Sequence, residues 1–323
     1  MVPHNWIGLL TSFLKYNLLH ISFPYAGEIL SLCSAIFWAL AVVMMKKVGE
    51  KVHPVALNLF KNTLGAILIG ITLVIIGEPL INPGFVTEED YIRLIASAII
   101  GMGLADIIFL HSLNIIGAGI SALVDTVYSP FVILFAYLLL GEQLSAIQFL
   151  GGGLIIGAIL FASAKLQHIP VDRKRLKYGI ILSVFAICMM AFAIVLVKPV
   201  LNKFQGDVGK QLWFAGFRLL PGFIIPFLIF IYKNRSTDLI SPFKDKKIWP
   251  YLLIAAFFST YLGMSSWIIG MSLTKASTAS ILNQTATIFI LIFAHIFLDE
   301  PFTKRRVIAI LIAMAGAYLV FIG

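Results

Sequence analysis

The chain has 323 residues, 60% of them hydrophobic and only 12% charged, whereas an average soluble domain is about 45–50% apolar and about 25% charged. Its 24 Lys and Arg and 15 Asp and Glu cannot give a fold of this size a polar skin, which excludes a soluble globular enzyme and predicts an apolar surface facing lipid. The net charge of +9 then reads as a topology signal and an attraction to anionic membrane lipid, with no nucleic-acid partner. Cys33 and Cys188 both lie inside apolar runs, so neither a disulfide framework nor a cysteine metal site is expected.

In chain order, residues 1–26 come first. They are interrupted by Lys15, Asn17 and His20 and lack a basic start with a small-residue cleavage site, so an interfacial amphipathic helix is expected. Apolar windows follow near 27–46, 54–76, 92–114, 119–140, 145–164, 178–198, 211–232, 250–273, 277–298 and 304–322. Each suits a helix of about 20 residues and is too long for a barrel strand. The fold class is therefore an all-α polytopic membrane protein with ten transmembrane helices.

The chain also repeats itself. A shift of 158 residues lays Phe131, Phe135, Ala136, Leu140 and Glu142 over Phe289, Phe293, Ala294, Leu298 and Glu300, with Asp125 over Asn283. With slightly different shifts, Phe60, Lys61 and Gly65 fall on Phe217, Arg218 and Gly222, while Gly27, Leu30, Ser31 and Lys46 fall on Gly179, Leu182, Ser183 and Lys198. Two five-helix units are expected, at 27–165 and 178–323, joined by a basic linker at 166–177. Because five is odd, the second unit enters the membrane from the opposite side, which makes them inverted repeats.

A basic residue after Phe in the second helix of each unit (FKNTLG and FRLLPG) and a fourth helix ending in LLLGEQLS or IFLDEPFT resemble the EamA branch of the drug/metabolite transporter superfamily, over about residues 27 to 323. The resemblance implies a ten-helix bundle that carries small metabolites or drugs by secondary transport, commonly export. It leaves the substrate open.

Ionisable residues at membrane depth are costly and usually functional. Asp106 and Asp125 flank the turn near Asn114 to Gly119 almost symmetrically. At about ten residues from it and about 1.5 Å per residue, they share one layer. Lys61 is expected only slightly shallower, so it can neutralise one carboxylate and leave the other unpaired in low dielectric, the condition for a proton carrier. The alternative is a static Lys–Asp pair that fixes helix packing, the other Asp lining a wet vestibule. In the second unit Arg218 keeps the charge of Lys61, but the positions matching Asp106 and Asp125 are Met264 and Asn283, followed by Gln284. Arg218 can then hold an anionic substrate group bidentately, cap helix carbonyls, snorkel, or reach Asp106 or Asp125.

Lys61, Arg218, Asn283, Gln284, Trp38 and Tyr128 are the candidate substrate-binding residues, and Asp106 and Asp125 the candidate coupling residues. Trp213, Tyr261 and Trp267 can line the same cavity or belong to an interfacial belt. His111 and His295 stand alone on apolar faces and read as packing histidines. Gly153 and Gly157, with Ala309, Ala313 and Ala317, have the spacing for close helix approach. The glycines at 151–153 follow no strand and precede no phosphate-type lysine; neither a nucleotide loop nor any cofactor is expected.

With Lys61 and Arg218 set aside, sixteen basic residues fall on one side of the membrane, at 46–51, 165–177, 233–247 and 304–306, and six on the other with both termini. That bias predicts termini outside the cell membrane, whereas the family resemblance implies cytoplasmic termini. The expected function is a secondary active transporter of a small metabolite or drug-like solute, working by alternating access, with proton-coupled export as the finer form. The expected partners are a small-molecule substrate, membrane lipid and protons, with the protein a monomer or homodimer. A passive channel or a membrane scaffold is the alternative, and an enzyme is disfavoured because no catalytic cluster is present.

Overall fold

The computed structural model of the chain describes residues 24–81, 84–163, 173–234, 238–298 and 304–323. Regular structure among the described residues is helical throughout. In chain order the helices are α1 (Ala26–Gly49), α2 (Pro54–Ile76), α3 (Glu88–Ala118), α4 (Asp125–Leu140), α5 (Ala146–Ser163), α6 (Arg173–Asn202), α7 (Val208–Lys233), α8 (Lys246–Leu273), α9 (Ala276–Leu298) and α10 (Lys304–Ile322). Seven are long and apolar enough to cross a membrane, and α4, α5 and α10 hold shorter apolar stretches. The N-terminal segment expected to be interfacial, most of the basic linker and the Asp-Glu ending of the second unit fall largely outside the described residues.

Ordinary punctuation sets the helix ends. His53 accepts the Val55 N–H on its Nδ1 at 3.2 Å and Pro54 opens α2. Thr87 and Asp90 form a reciprocal capping box at the start of α3, satisfying two otherwise orphaned donors. Asp207 caps α7 through the Lys210 N–H. Near the C-terminal end of α3 the chain kinks at Gly117, whose φ of 76° suits a residue without a side chain.

Two interruptions were not expected from the sequence. α3 widens into a π-helical stretch at Ala98–Ala105, and α8 does the same at Phe257–Gly263. The 158-residue shift superimposes them. Wide turns of this kind cluster at functional sites because they re-aim side chains out of the helical register. A third break, at Phe223 just after Pro221 in α7, falls where proline was expected to kink that helix.

Contacts between helix ends form two layers. At one end, Lys51 pairs with Asp245 at 2.9 Å and Lys47 donates to the Phe297 carbonyl; this is the basic end. At the other, Lys203 holds Asp90 at 2.7 Å and Glu142 meets the start of α9; this is the terminal end. Each end has its own buried apolar cluster, with Leu94, Val195 and Phe214 at the terminal end and Val42, Leu57 and Leu252 at the basic end. The outward faces are apolar as well: Val74 is 63% exposed, Phe149 73% and Leu311 63%. Such a surface is stable in lipid and not in water.

The small-residue contact differs in register from the expected one. A Cβ on Gly153 or Gly157 would meet nothing within 4 Å, whereas one on Gly316 would lie 2.7 Å from the Gly151 carbonyl oxygen. The buried stripe of α5 is Gly151, Ile155 and Ala158, facing Ala309, Ala313 and Gly316 of α10. Gly153 and Gly157 sit on the outer face instead. Gly316→Val is therefore expected to cost about 1–3 kcal/mol through overpacking and to lower the melting temperature of the detergent-solubilised protein, while Gly153→Ala and Gly157→Ala leave it within a degree or so.

Candidate functional site

A cavity of about 180 Å³ lies inside the bundle, lined by Trp38 from α1, Lys61 and Asn62 from α2, Met102 and Asp106 from α3, Asp125 and Tyr128 from α4, Ile194 from α6, Arg218 from α7, Thr260 and Trp267 from α8, and Asn283 from α9. It borders the apolar clusters of both ends, so it sits between them. Residues of the two π-helical stretches line it in both halves. Seven of the eight candidates selected from sequence share this wall. The exception is Gln284, which is 1% exposed and does not line the cavity. One residue past Asn283, it turns away into the helix packing, with neither amide atom partnered among the described residues.

One of the two cations on this wall is satisfied. Lys61, 5% exposed, places its Nζ 2.5 Å from Asp106 Oδ2. Lys61 also donates to Asn62 Oδ1 at 3.0 Å, Asn62 to Asn58 Oδ1 at 2.9 Å, and Asn58 to Asp106 Oδ2 at 3.3 Å and to the Met102 carbonyl at 3.2 Å. A closed ring of donors and acceptors results, the condition under which a buried ion pair is tolerated. Asn58 and Asn62 were missed in the sequence reading. Their signal was positional: residues 58, 61 and 62 share one face of α2 at i, i+3, i+4 spacing.

The matching cation of the second half is not. Arg218 is 4% exposed, yet its Nε has no hydrogen-bond partner and it forms no ion pair among the described residues. It has the Phe214 ring 5.6 Å from its guanidinium carbon, and the charge of Asp106 and the Tyr128 hydroxyl within electrostatic range. Asn283, across the cavity, also leaves its Oδ1 unpartnered. Asp125, a residue of the first half, faces the same space and forms no ion pair among the described residues. Of the readings open for Arg218, carbonyl capping and snorkelling are not what the side chain does. It faces the cavity.

The remaining candidates divide by depth. Trp267 joins Trp38 and Tyr128 on the cavity wall and packs against the Tyr128 ring at 6.3 Å. Trp213 instead belongs to an aromatic cluster at the terminal end, stacked on Phe217 at 5.0 Å, with its Nε1 donating to the Leu80 carbonyl. Tyr261 shares a hydrogen bond with Thr72. His111 and His295 are both exposed on helix surfaces, and His111 does not stand alone, having Lys233 and Arg175 within electrostatic range. Lys198, assigned by the charge count to a membrane side, is in fact 3% exposed and bonded to backbone carbonyls.

The LLLGEQLS ending has a structural explanation. Glu142 accepts from the Ala276 and Ser277 N–H groups at 3.2 and 3.1 Å and from the Ser277 hydroxyl at 2.8 Å. It caps the N-terminus of α9, a helix of the other half, where a carboxylate is favoured by the orphan donors and the dipole.

An apolar helical bundle that encloses a cavity lined by charged side chains is an integral membrane protein organised around a solute-sized site. The profile of the EamA-like transporter family matches it twice, at residues 25–164 and 177–322, and the chain belongs to that family. It is 24% identical over 306 residues, 91% of this chain and 86% of the relative, to an uncharacterized transporter of Methanothermobacter thermautotrophicus. It is also 26% identical over 121 residues, 37% of this chain and 38% of the relative, to an S-adenosylmethionine uptake transporter of Rickettsia bellii. A solved crystal structure matches with a TM-score of 0.70 at 14% identity, covering 92% of this chain and 96% of that one, which shows the shared fold. The protein is a membrane transporter of small solutes, not an enzyme.

The closed ring around Lys61 makes a stability prediction. Lys61→Met or Asp106→Asn alone strands a buried charge or an unmatched donor set and is expected to cost about 3–5 kcal/mol. The double variant should recover at least half of that. A double-mutant cycle on thermal or denaturant unfolding in detergent reads it; additive losses would contradict the pairing.

Proposed function

We propose that the protein is a secondary active transporter of a small anionic or zwitterionic metabolite. It works by alternating access between two inverted five-helix repeats, 27–165 and 178–323, joined by the basic segment 166–177. The observation that carries this reading is the difference between two matching cations. Lys61 has its carboxylate, while Arg218, buried in the same wall, has none. A buried guanidinium is costly without an anion, and its planar fork suits a carboxylate or phosphate bidentately. A solute anion completes the second half as Asp106 completes the first. Trp38, Tyr128 and Trp267 then flank its body, and Asn283 offers a neutral contact.

Alternating access fits the paired π-helical stretches and the two matched segments. Each half brings an equivalent irregular turn to the cavity, so the halves can rock about a fixed site. Asp125 is the group proposed to carry protons. It faces the cavity and has no cation of its own, unlike Asp106. With the cavity empty, ionised Asp125 balances Arg218; when the solute anion binds, a proton on Asp125 keeps the cavity near neutral. Anion and proton therefore occupy the cavity together, and the charge balance favours their moving in the same direction.

The test is flux in liposomes reconstituted with the whole protein, using a metabolite panel of carboxylates, phosphates and zwitterions, with S-adenosylmethionine included because a relative is named for it. Arg218→Gln should reduce flux of the transported solute by about tenfold or more, the loss expected for a charge-assisted contact. Asp125→Asn should abolish stimulation by a pH gradient while substrate exchange persists. Flux that ignores every gradient would indicate a passive channel and reject the proposal.

A further inference from the structure

The two ends of the cavity are held differently. At the terminal end, α8 and α9 are joined by an extended link at Thr274 and Lys275. Lys198 of α6, buried to 3% exposure, donates its ammonium to the Met271 carbonyl and, at 2.8 Å, to the Thr274 carbonyl. Glu28 of α1 accepts from the Thr274 hydroxyl at 2.8 Å. A lysine thus fills the orphan acceptors at the end of α8, tying the link to α6.

The repeat supplies the comparison at the basic end. Lys46 of α1 matches Lys198, Leu113 and Ile116 match Met271 and Thr274, and Gly117 matches Lys275. The surroundings are equivalent enough for the same bond to form. Asn114 sits against Gly49 so closely that a Cβ there would be 2.3 Å from its Oδ1, and Lys46 lies one turn back on that face of α1. Yet Lys46 does not bond to Leu113 or Ile116. It turns outward to Glu50, with Nζ 3.7 Å from Oε1, and that carboxylate is 68% exposed.

We propose that Lys198 and Lys46 are reciprocal latches, one docked on its helix–helix link while the other is released, so that each closes one end of the cavity. The proposal rests on the alternating-access reading. In the state described, Lys198 is docked and the terminal end is closed. When inverted repeats exchange conformations, Lys46 docks on the Leu113 and Ile116 carbonyls and Lys198 withdraws into the vestibule that opens beside it. Because each release is offset by an equivalent docking, the two states stay close in free energy, as a transporter cycle requires. Both lysines are positioning residues. Neither lines the cavity.

The experiment uses the full chain in liposomes with Cys33→Ser and Cys188→Ser and one reporter, Ser34→Cys, on the cavity wall. A membrane-impermeant thiol reagent is applied from each side, and the ratio of the two labelling rates is measured. Lys198→Met should shift that ratio toward the terminal end by about tenfold, the loss of a charge-assisted bond. Lys46→Met should shift it the other way, the double variant should return toward the parent, and either Lys→Arg change should hold the ratio within about threefold. Shifts in one direction for both variants, or no shift, would overturn the latch. Lys46→Met decides the matter even if Lys198→Met does not fold, since Lys46 leaves no buried acceptor behind. A reporter reached from one side only, in every variant and with every solute, would instead overturn alternating access itself.

Discussion

A charge inside a membrane protein must find an opposite charge or a full set of hydrogen bonds, and that requirement organises this structure. Lys61 meets it within its own half through Asp106, Asn58 and Asn62. Arg218, at the matching position of the other half, does not. Two copies of one helical unit could have satisfied both cations or neither. The divergence at the positions of Met264 and Asn283, where the first half has Asp106 and Asp125, removes the second carboxylate pair and leaves a guanidinium facing a cavity. Lys61 is paired within the protein, and Arg218 is not.

The backbone is shaped for the same purpose. The π-helical stretches Ala98–Ala105 and Phe257–Gly263 stand directly before Asp106 and Met264 and carry those positions to the cavity wall. Around them the packing is apolar and dense, with Ala39, Ala191 and Ala279 fully buried, so the cavity is a local departure from close packing. Glu142 works at a distance from the site. By capping α9 across the boundary between the halves, it fixes the first turn of the helix that presents Asn283.

Much of this was legible in the sequence because lipid imposes simple rules. Apolar windows marked all ten helices to within a few residues, and the rarity of charge at depth pointed to Lys61, Asp106, Asp125 and Arg218, which share one wall. What was not legible depends on rotation about a helix axis. Gly153 and Gly157 have the right spacing, but the buried stripe is set by Gly151, two residues before Gly153, and only the neighbouring helix decides which stripe turns inward. Gln284 failed for the same reason, one residue from the face that Asn283 occupies. Lys198 sits near a helix end, where hydropathy reads a lysine as solvated; its burial comes from carbonyls of α8 that lie far away in sequence. The π-helical stretches have no composition signal of their own.

The central claim is that Arg218 is the unfilled half of an ion pair whose other half is the solute. Equilibrium binding to the detergent-solubilised protein, read by tryptophan fluorescence from Trp38 and Trp267 on the cavity wall, tests it most directly. Anion-bearing solutes that quench the parent should bind the Lys61→Met, Asp106→Asn double variant within a few-fold of the parent, and should lose about tenfold or more in affinity with Arg218→Gln. Unchanged affinity in Arg218→Gln, or equal losses in both variants, would contradict the account.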